Sequence, residues 1–184
     1  MLEKHGSDKA IHNYHPIYAS ILDQPNKITA VLEVGLGTNN TDVFSNMGKG
    51  GKPGASLSAF KEFLPNARIY GAATDRRILF QDGMIKTFWV DQTDPSTFEL
   101  LGRDIGGQLD LIIDDGLHAP NANLTVLLFP LEWLKPGGRL IIEDIMPDSL
   151  PVWHLVSSLP PPAFENHRIV SANNAYLFCV RKDA

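Results

Sequence analysis

The stretch that decides the fold is residues 31–40, VLEVGLGTNN, in which an apolar run ends at two closely spaced glycines. The run Ile28–Val34 is mostly apolar, which is typical of a parallel strand buried on both faces. Gly35 and Gly37 let the backbone turn tightly and allow a ligand to approach it closely. Exposed amides after such a turn suit an anion or a carboxylate. The pattern predicts a ligand-binding turn, with an ordinary strand-to-loop turn as the alternative.

Outward from this stretch, short apolar runs alternate with helical segments, as in a parallel sheet with helices on both faces. The further predicted strands are Arg68–Ala73, Thr87–Val90, Leu109–Ile113 and Arg139–Ile142, followed by an antiparallel pair, His167–Val170 and Ala175–Val180. The predicted helices are Ile11–Leu22, Ser56–Phe63 and Ala122–Trp133, and Leu134–Gly138 (LKPGG) is predicted to be a turn. We therefore predict an α/β fold with a Rossmann-like, doubly wound, mostly parallel seven-stranded sheet and a C-terminal antiparallel hairpin.

Size and charge narrow the class of protein. The 184 residues, 43% hydrophobic and 20% charged, suit a single domain spanning 1–184, with residues 1–26 as an N-terminal lid and helix. The net charge of −5 argues against a nucleic-acid partner, because phosphate binding needs a concentrated basic face. No apolar run is long enough to span a membrane, and Met1–Lys9 lacks the apolar core of a signal peptide. We expect a cytoplasmic protein; the sequence leaves homo-oligomerisation open.

Acidic residues follow two of the predicted strands directly. Asp114 and Asp115 come after the fourth strand, and Glu143 and Asp144 come after the fifth. If these strands are neighbours, about 4.8 Å apart, their carboxylates converge on one small volume. Such a cluster needs a positive partner, and oxygen ligands favour a hard cation such as magnesium. Helix capping and solvent exposure are the alternative.

His118 stands close to this acidic cluster in the sequence. It lies one turn beyond Asp115 in the segment Asp114–His118, DDGLH. An imidazole can accept a proton from a hydroxyl near neutral pH. His118 is therefore the candidate catalytic base, with a purely structural histidine as the alternative.

The motif Glu33-x-Gly35-x-Gly37 resembles the first motif of class I S-adenosylmethionine-dependent methyltransferases, and Leu134–Gly138 resembles the loop before that family's fifth strand. The resemblance implies S-adenosylmethionine as the cofactor, with the glycine loop along its amino-acid part. It places Asp91 at the adenine, with a helix N-cap as the alternative for this residue. The predicted cofactor-binding residues are Glu33, Gly35, Gly37, Thr38, Asp75, Asp91 and Asp114.

One position departs from that family's pattern. The family usually has an acid at the end of the second strand, which accepts hydrogen bonds from the ribose hydroxyls, and here Ala73 stands there. Losing a charge-assisted hydrogen bond costs about 1.5–3 kcal/mol. Asp75, two positions on, is the candidate substitute.

Several short motifs narrow the resemblance. Residues 6–9 (GSDK), His12-x-Tyr14 and Tyr18 precede the glycine motif, and together with the two acidic pairs they look like the macrocin O-methyltransferase group. Those enzymes are magnesium-dependent and methylate sugar hydroxyls of natural products. The resemblance implies a hydroxylated small-molecule acceptor, Asp115, Glu143 and Asp144 as metal ligands, and His118 as the base.

Two segments and two other functions stay open. Residues 6–9 are predicted to be a lid over the cofactor or a helix cap, and the glycine-rich residues 46–54 a flap or, less in keeping with their ending, a phosphate-binding loop. A non-catalytic cofactor-binding module is one alternative function, favoured by Ala73. A nicotinamide-dependent oxidoreductase is the other, and the missing third glycine of the dinucleotide fingerprint argues against it.

Overall fold

The computed structural model describes residues 1–158, 164–173 and 175–183, which form one sheet covered by helices on both faces. The strands are β1 (Ala30–Val34), β2 (Arg68–Ala73), β3 (Gln81–Asp82), β4 (Ile85–Trp89), β5 (Leu109–Asp114), β6 (Leu134–Ile145), β7 (Phe164–Ala172) and β8 (Ala175–Lys182). They lie in the order β3-β4-β2-β1-β5-β6-β8-β7. The five central strands, β4, β2, β1, β5 and β6, are parallel to one another. β8 and β7 close the sheet as an antiparallel hairpin. The predicted fold class is confirmed.

The described residues add one strand to the seven that were predicted. β3 has only two residues, both exposed, and pairs antiparallel with β4. No apolar run marks such a short polar strand, so the hydrophobic pattern does not reveal it.

The helices are α1 (Leu2–His5), α2 (His15–Ile21), α3 (Ala55–Phe63), α4 (Pro95–Ile105), α5 (Pro120–Leu128), α6 (Pro130–Trp133) and α7 (Leu150–Ser157). On one face of the sheet, Tyr18 of α2 and Leu57 and Phe60 of α3 pack with Val31, Ile69 and Ile113. On the other face, Phe98 of α4, Val126 of α5 and Trp153 of α7 pack with Leu32, Ile112 and Ile142. Alternate residues of each strand thus point to opposite faces, and this alternation decides where the acidic residues go.

Several local predictions differ from the structure. The helix predicted over Ala122–Trp133 is divided into α5 and α6. α2 begins at His15 rather than at residue 11, after a short 3-10 helix at Asp8–Ala10. α4 was not predicted, although Asp94 caps it and Pro95 occupies its first position. The segment Leu134–Gly138 is not a separate turn but belongs to β6, where a shift of register against β5 accommodates it.

The order of the strands reverses between β1 and β5, which are hydrogen-bonded neighbours in the middle of the sheet. In doubly wound sheets, ligands bind outside the carboxyl ends of the strands at this point. Val34 lies opposite Asp114, so the glycine turn and the first acidic pair leave the sheet side by side. No helix within the described ranges is both long and apolar enough to cross a membrane.

Candidate active site

The glycine turn after β1 touches the acidic loop after β5. Gly35 has a φ of 92° and Gly37 a φ of 67°, conformations that favour glycine. A Cβ atom at Gly35 would lie 2.0 Å from the backbone oxygen of Asp115, so no side chain fits there. The Asp115 amide also donates to the carbonyl oxygen of Val34 at 2.8 Å. The two loops are therefore held in direct contact.

A crevice of about 280 Å³ opens at this turn, close to the lower end of the ~300–1,000 Å³ typical of small-molecule sites. Of the predicted cofactor-binding residues, Gly35, Gly37, Thr38 and Asp75 line it. The structure therefore brings the glycine motif and the loop after β2 to one cavity.

Two segments cover part of the crevice. Residues 6–9 line it, and the Ser7 hydroxyl caps the 3-10 helix that follows, so the predicted helix cap is present while the lid stays a prediction. The loop of residues 46–54 lies along the glycine turn, with the Met47 amide donating to the Thr38 carbonyl oxygen at 2.9 Å. That position suits a flap over the crevice.

Glu33 and Asp91 were also predicted to contact the cofactor, and neither is among the residues lining the crevice. The Glu33 side chain is fully buried behind the glycine turn, where it accepts a hydrogen bond from the Ser56 hydroxyl. The Asp91 carboxylate accepts hydrogen bonds from the Thr93 amide at 2.9 Å and the Thr93 hydroxyl at 2.7 Å. Asp91 thus stabilises the turn before α4, and the helix itself is capped by Asp94.

Asp114 points away from the crevice because it continues the alternation of Ile112, on the α4–α5 face. It is fully buried and accepts hydrogen bonds from the side chains of Gln92 and Asn123, both at 2.8 Å. Burial raises the pKa of Asp114 to about 6, although both hydrogen bonds oppose that shift. Its contact with the crevice is indirect, since the Gln92 that it holds does line the cavity.

Ala73 lines the crevice at the end of β2, and Asp75 lies two residues beyond it. The Asp75 carboxylate accepts hydrogen bonds from Arg77 Nε at 2.7 Å, from the Asn40 side chain at 2.8 Å and from the Thr38 hydroxyl at 2.7 Å. These partners, Arg77 foremost, lower the pKa of Asp75. The carboxylate therefore joins the glycine turn to the loop after β2 and is already well supplied with donors from the protein.

Asp115, His118 and Asp144 form a group at the mouth of the crevice, which we call the outer group. Each offers one potential ligand atom, and these atoms lie within 4.8 Å of one another. All three line the crevice and are partly exposed. His118 Nε2 lies 3.8 Å from Asp144 Oδ2, while Nδ1 is buried without a hydrogen-bond partner among the described residues.

Two members of the outer group adopt a strained backbone conformation. His118 and Asp144 both have a φ of 53°, which is uncommon outside glycine. Such conformations cost on the order of 1–3 kcal/mol and cluster at functional sites. Asp144 lies at a shift of register between β6 and β8, from Ile142 to Ile145. Regular alternation would send Asp144 to the face opposite Glu143, so this irregularity is what turns it towards the crevice.

Glu33 and Glu143, the inner group, lie deeper, on the face of α2 and α3. The Lys9 ammonium reaches them from the N-terminal segment and is itself almost fully buried. It donates hydrogen bonds to Glu143 and, at 2.6 Å, to Asp115 Oδ2. It also lies 3.1 Å from Glu33 Oε1, an ion-pair distance without hydrogen-bond geometry. The Tyr18 hydroxyl donates to the second oxygen of Glu143.

The charges of the inner group and Lys9 depend on one another. Burial raises the pKa of Glu33 and of Glu143, and the Lys9 ammonium counteracts both shifts. Burial by itself would lower the pKa of Lys9, but the carboxylates of Asp115, Glu143 and Glu33 raise it well above its usual value. Lys9 therefore remains an ammonium ion and is the positive partner that this acidic cluster requires.

The predicted metal ligands were Asp115, Glu143 and Asp144. The structure brings Asp115 and Asp144 together with His118, whereas Glu143 is in contact with Lys9 and Tyr18. The role of Glu143 as a ligand therefore stays a prediction.

Sequence reasoning noted Lys9, Tyr14 and Tyr18 only as parts of a motif and missed their contacts. The Tyr14 hydroxyl donates to Asp144, as that of Tyr18 does to Glu143. A signal was present, because residues four apart lie on the same face of a helix. For Gln92, whose side chain links Asp114 to the crevice, no sequence signal stood out.

Comparison with known proteins agrees with the fold and the motifs, although no protein-family model matches the chain. Over 154 residues, 82% of its length, it is 29% identical to the 8-demethyl-8-alpha-L-rhamnosyl tetracenomycin-C 2'-O-methyltransferase of Streptomyces olivaceus, of which this covers 38%. Over 140 residues, 74% of its length, it is 31% identical to the demethylmacrocin O-methyltransferase of Streptomyces fradiae, of which this covers 32%. The chain thus spans about a third of the length of the curated relatives it matches.

Among solved structures, the chain is similar to the MycE methyltransferase from the mycinamycin biosynthetic pathway in complex with Mg and SAH. The TM-score is 0.79 with 23% identity, over 98% of this chain and 53% of that one. The same protein in complex with Mg, SAH and mycinamycin VI gives a TM-score of 0.78 with 22% identity, over 98% of this chain and 52% of that one. The chain therefore has the fold of class I S-adenosylmethionine-dependent methyltransferases, and the resemblance of its sequence to the macrocin O-methyltransferase group is confirmed.

Proposed function

We propose that this chain is an S-adenosylmethionine-dependent, divalent-metal-assisted O-methyltransferase that acts on a hydroxyl of a small molecule. The observation that carries the proposal is the position of the outer group at the mouth of the crevice beside the glycine turn. A methyl donor in the crevice and an acceptor at the outer group would thus be neighbours. The names of the relatives, all O-methyltransferases, favour the same reaction.

The crevice suits the cofactor in shape and in chemistry. The glycine turn lines the cavity, and backbone amides at such a turn suit a carboxylate. We assign Gly35, Gly37 and Thr38 to the amino-acid part of S-adenosylmethionine. Gln92, held by Asp114, also lines the crevice and is a further candidate for contact with the cofactor.

The outer group suits a hard divalent cation. Asp115 and Asp144 supply carboxylate oxygens, the ligands that Mg²⁺ and Mn²⁺ prefer. Both carboxylates lie at the crevice mouth, where an ion would be accessible to an acceptor. When bound, the ion would lower the pKa of a nearby acceptor hydroxyl and orient it.

His118 is the group we assign to proton removal. Its imidazole lines the crevice and is partly exposed, and Mg²⁺ prefers oxygen to nitrogen ligands, which leaves the ring free to act as a base. In the proposed reaction the acceptor oxygen attacks the methyl carbon and the carbon–sulfur bond of the cofactor breaks. The hydroxyl proton passes to a ring nitrogen of His118. The main task of the protein is to align the acceptor oxygen with the methyl group.

For the acceptor we propose a sugar hydroxyl of a glycosylated natural product. One curated relative is named for the 2'-O-methylation of a rhamnosyl tetracenomycin, and MycE has been solved with mycinamycin VI. The carboxylates of Asp115 and Asp144 suit a polyhydroxylated ligand, because they accept hydrogen bonds from hydroxyl groups.

The test is calorimetric titration of S-adenosylmethionine and S-adenosylhomocysteine, with magnesium and again with EDTA. We expect micromolar binding of both compounds, and binding of Mg²⁺ that Asp144→Asn weakens. Methyl transfer from labelled cofactor to glycosylated acceptors then tests the reaction itself. A chain that binds neither compound would contradict the proposal.

One observation favours a second function, a cofactor-binding module without catalytic activity. Ala73 stands where the ribose-binding acid is expected, and the Asp75 carboxylate is already bonded to Arg77, Asn40 and Thr38. Binding of S-adenosylmethionine without turnover on any acceptor, unaffected by EDTA, would support this second function.

A further inference from the structure

The Lys9 ammonium occupies a position enclosed by carboxylate oxygens. Asp115 Oδ2 lies 2.6 Å and Glu33 Oε1 3.1 Å from its nitrogen, and an oxygen of Glu143 completes the set. These acids come from the carboxyl ends of three neighbouring strands, β1, β5 and β6. They continue the alternation of Val31, Ile113 and Ile141 on the α2–α3 face. One ammonium thus joins three strands to the N-terminal segment.

The oxygens around Lys9 outnumber what its ammonium satisfies. Glu33 is fully buried, and its Oε1 makes no hydrogen bond among the described residues although it faces the ammonium. Three carboxyl groups face a single positive charge, and one of their buried oxygens is left without a hydrogen bond. An array of carboxylate oxygens is the environment that a hard divalent cation prefers.

Asp115 belongs both to this array and to the outer group. Its Oδ2 atom accepts from Lys9, and its carboxylate also counts among the ligand atoms of the outer group. A divalent ion and the Lys9 ammonium therefore draw on the same carboxylate, and each reduces the attraction of the site for the other.

We propose that Lys9 is a tethered counter-ion that holds the inner position among Glu33, Asp115 and Glu143 and keeps divalent cations out of it. With the lysine in place, divalent binding is confined to the outer group. Without it, the inner carboxylates become available and the site binds a divalent ion more tightly. Lys9 is a positioning residue in this scheme, since it acts through Asp115 and not on substrate.

The test is Lys9→Met, which keeps the length of the aliphatic side chain and removes its charge. We measure thermal unfolding in EDTA and in Mg²⁺ or Mn²⁺, and ion affinity by calorimetry. In EDTA the variant should be less stable than the wild type, because buried carboxylates lose their partner. Divalent ions should raise its melting temperature more than that of the wild type and bind at least about 10-fold more tightly.

Matched variants separate this effect from a general loss of structure. Lys4→Met removes an exposed N-terminal lysine that also pairs with a carboxylate, that of Glu62, and should leave ion affinity unchanged. Lys9→Met combined with Glu143→Gln removes one charge of each sign. Compared with Lys9→Met alone, the double variant should be more stable and should bind divalent ions less tightly. If Lys9→Met unfolds in EDTA, millimolar Mg²⁺ or Mn²⁺ should restore its circular dichroism spectrum.

The inference deepens the cation-binding part of the proposed function, and the two fail in different ways. A wild type that does not bind Mg²⁺ would contradict the metal-assisted function, whereas the inference rests on the difference between Lys9→Met and the wild type. An ion affinity in Lys9→Met that equals or falls below that of the wild type would overturn the inference. A variant that stays unfolded in the presence of either ion would also overturn it.

Discussion

The inner and outer groups both contain acids, and Glu143 of the inner group is adjacent in the chain to Asp144 of the outer group, yet the environments of the two groups are opposite. Glu33 and Glu143 are fully buried and hold hydrogen bonds or ion pairs with Ser56, Lys9 and Tyr18. The outer group is partly exposed, includes two strained backbones, and contains a buried ring nitrogen without a hydrogen bond among the described residues. Proximity of acids in the sequence therefore does not identify a ligand site. The outer group differs from the inner one in that all three of its side chains line the crevice and are partly exposed.

The role of the outer group can be tested at His118, the candidate base. We expect His118→Gln to lower methyl transfer by about 10²- to 10⁴-fold, because general base catalysis typically contributes that much. Mg²⁺ affinity should be unchanged, which calorimetry checks. His154→Gln, an exposed histidine of α7, is the matched control and should leave both quantities unaltered. A loss of Mg²⁺ affinity in His118→Gln would show that the imidazole is a ligand.

The outer group should depend on Asp144 for its ion. Replacing a residue that only supports a metal ligand typically costs about 10- to 100-fold in affinity. Asp144 is proposed as a ligand itself, so we expect Asp144→Asn to lower Mg²⁺ affinity by at least about 100-fold. Asp148→Asn changes an exposed acid just beyond β6 and should have no effect. Unchanged calorimetric titrations of Asp144→Asn would remove the outer group as the metal site.

The inner group should respond in stability rather than in ion binding. Glu143→Gln takes one carboxylate from Lys9 while Glu33 and Asp115 remain, so we expect a loss of about 1–3 kcal/mol in the free energy of unfolding. Denaturant unfolding measures this loss. Mg²⁺ affinity should stay close to that of the wild type. If the affinity instead falls as in Asp144→Asn, Glu143 is a ligand, as the sequence motif predicts.

The smallest effect is expected at Ala73, which lines the crevice where the family usually has a ribose-binding acid. Ala73→Asp should tighten S-adenosylmethionine binding by about 10-fold, the value of one charge-assisted hydrogen bond. Asp75→Asn is the informative partner variant, since its carboxylate is already bonded within the protein. Calorimetry on both variants checks the assignment, and no gain in Ala73→Asp would place the ribose elsewhere.

Most of the fold follows from the pattern of apolar runs, because strands buried on both faces leave an unambiguous signal. Arg68–Ala73 was predicted with the bounds it has in the structure. α4 was not predicted, although both of its ends carry capping residues. Apolar periodicity by itself does not reveal capping residues. Once the fold class is known, the order of the strands and the position of the glycine turn beside Asp115 follow from it.

The interior of the site was harder to predict, for reasons of geometry. Strand alternation separates Asp114 from Asp115, and the irregularity in β6 brings Asp144 to the crevice, but a sequence does not show where a strand shifts its register. Lys9 lies 106 residues from Asp115 in the chain, so no local spacing connects them. The residue types of the site could be predicted, but not which of them neutralise one another.

The contact between Gly35 and the Asp115 backbone has a consequence for how this protein tolerates mutation. A single methyl group at position 35 would collide with the backbone of the loop that carries Asp115, and Gly35 itself lines the crevice. Selection for either property therefore falls on the same glycine, and random variation should be depleted there. Gly50 has open space where a Cβ would lie, so a library of random variants should contain almost any small residue at that position.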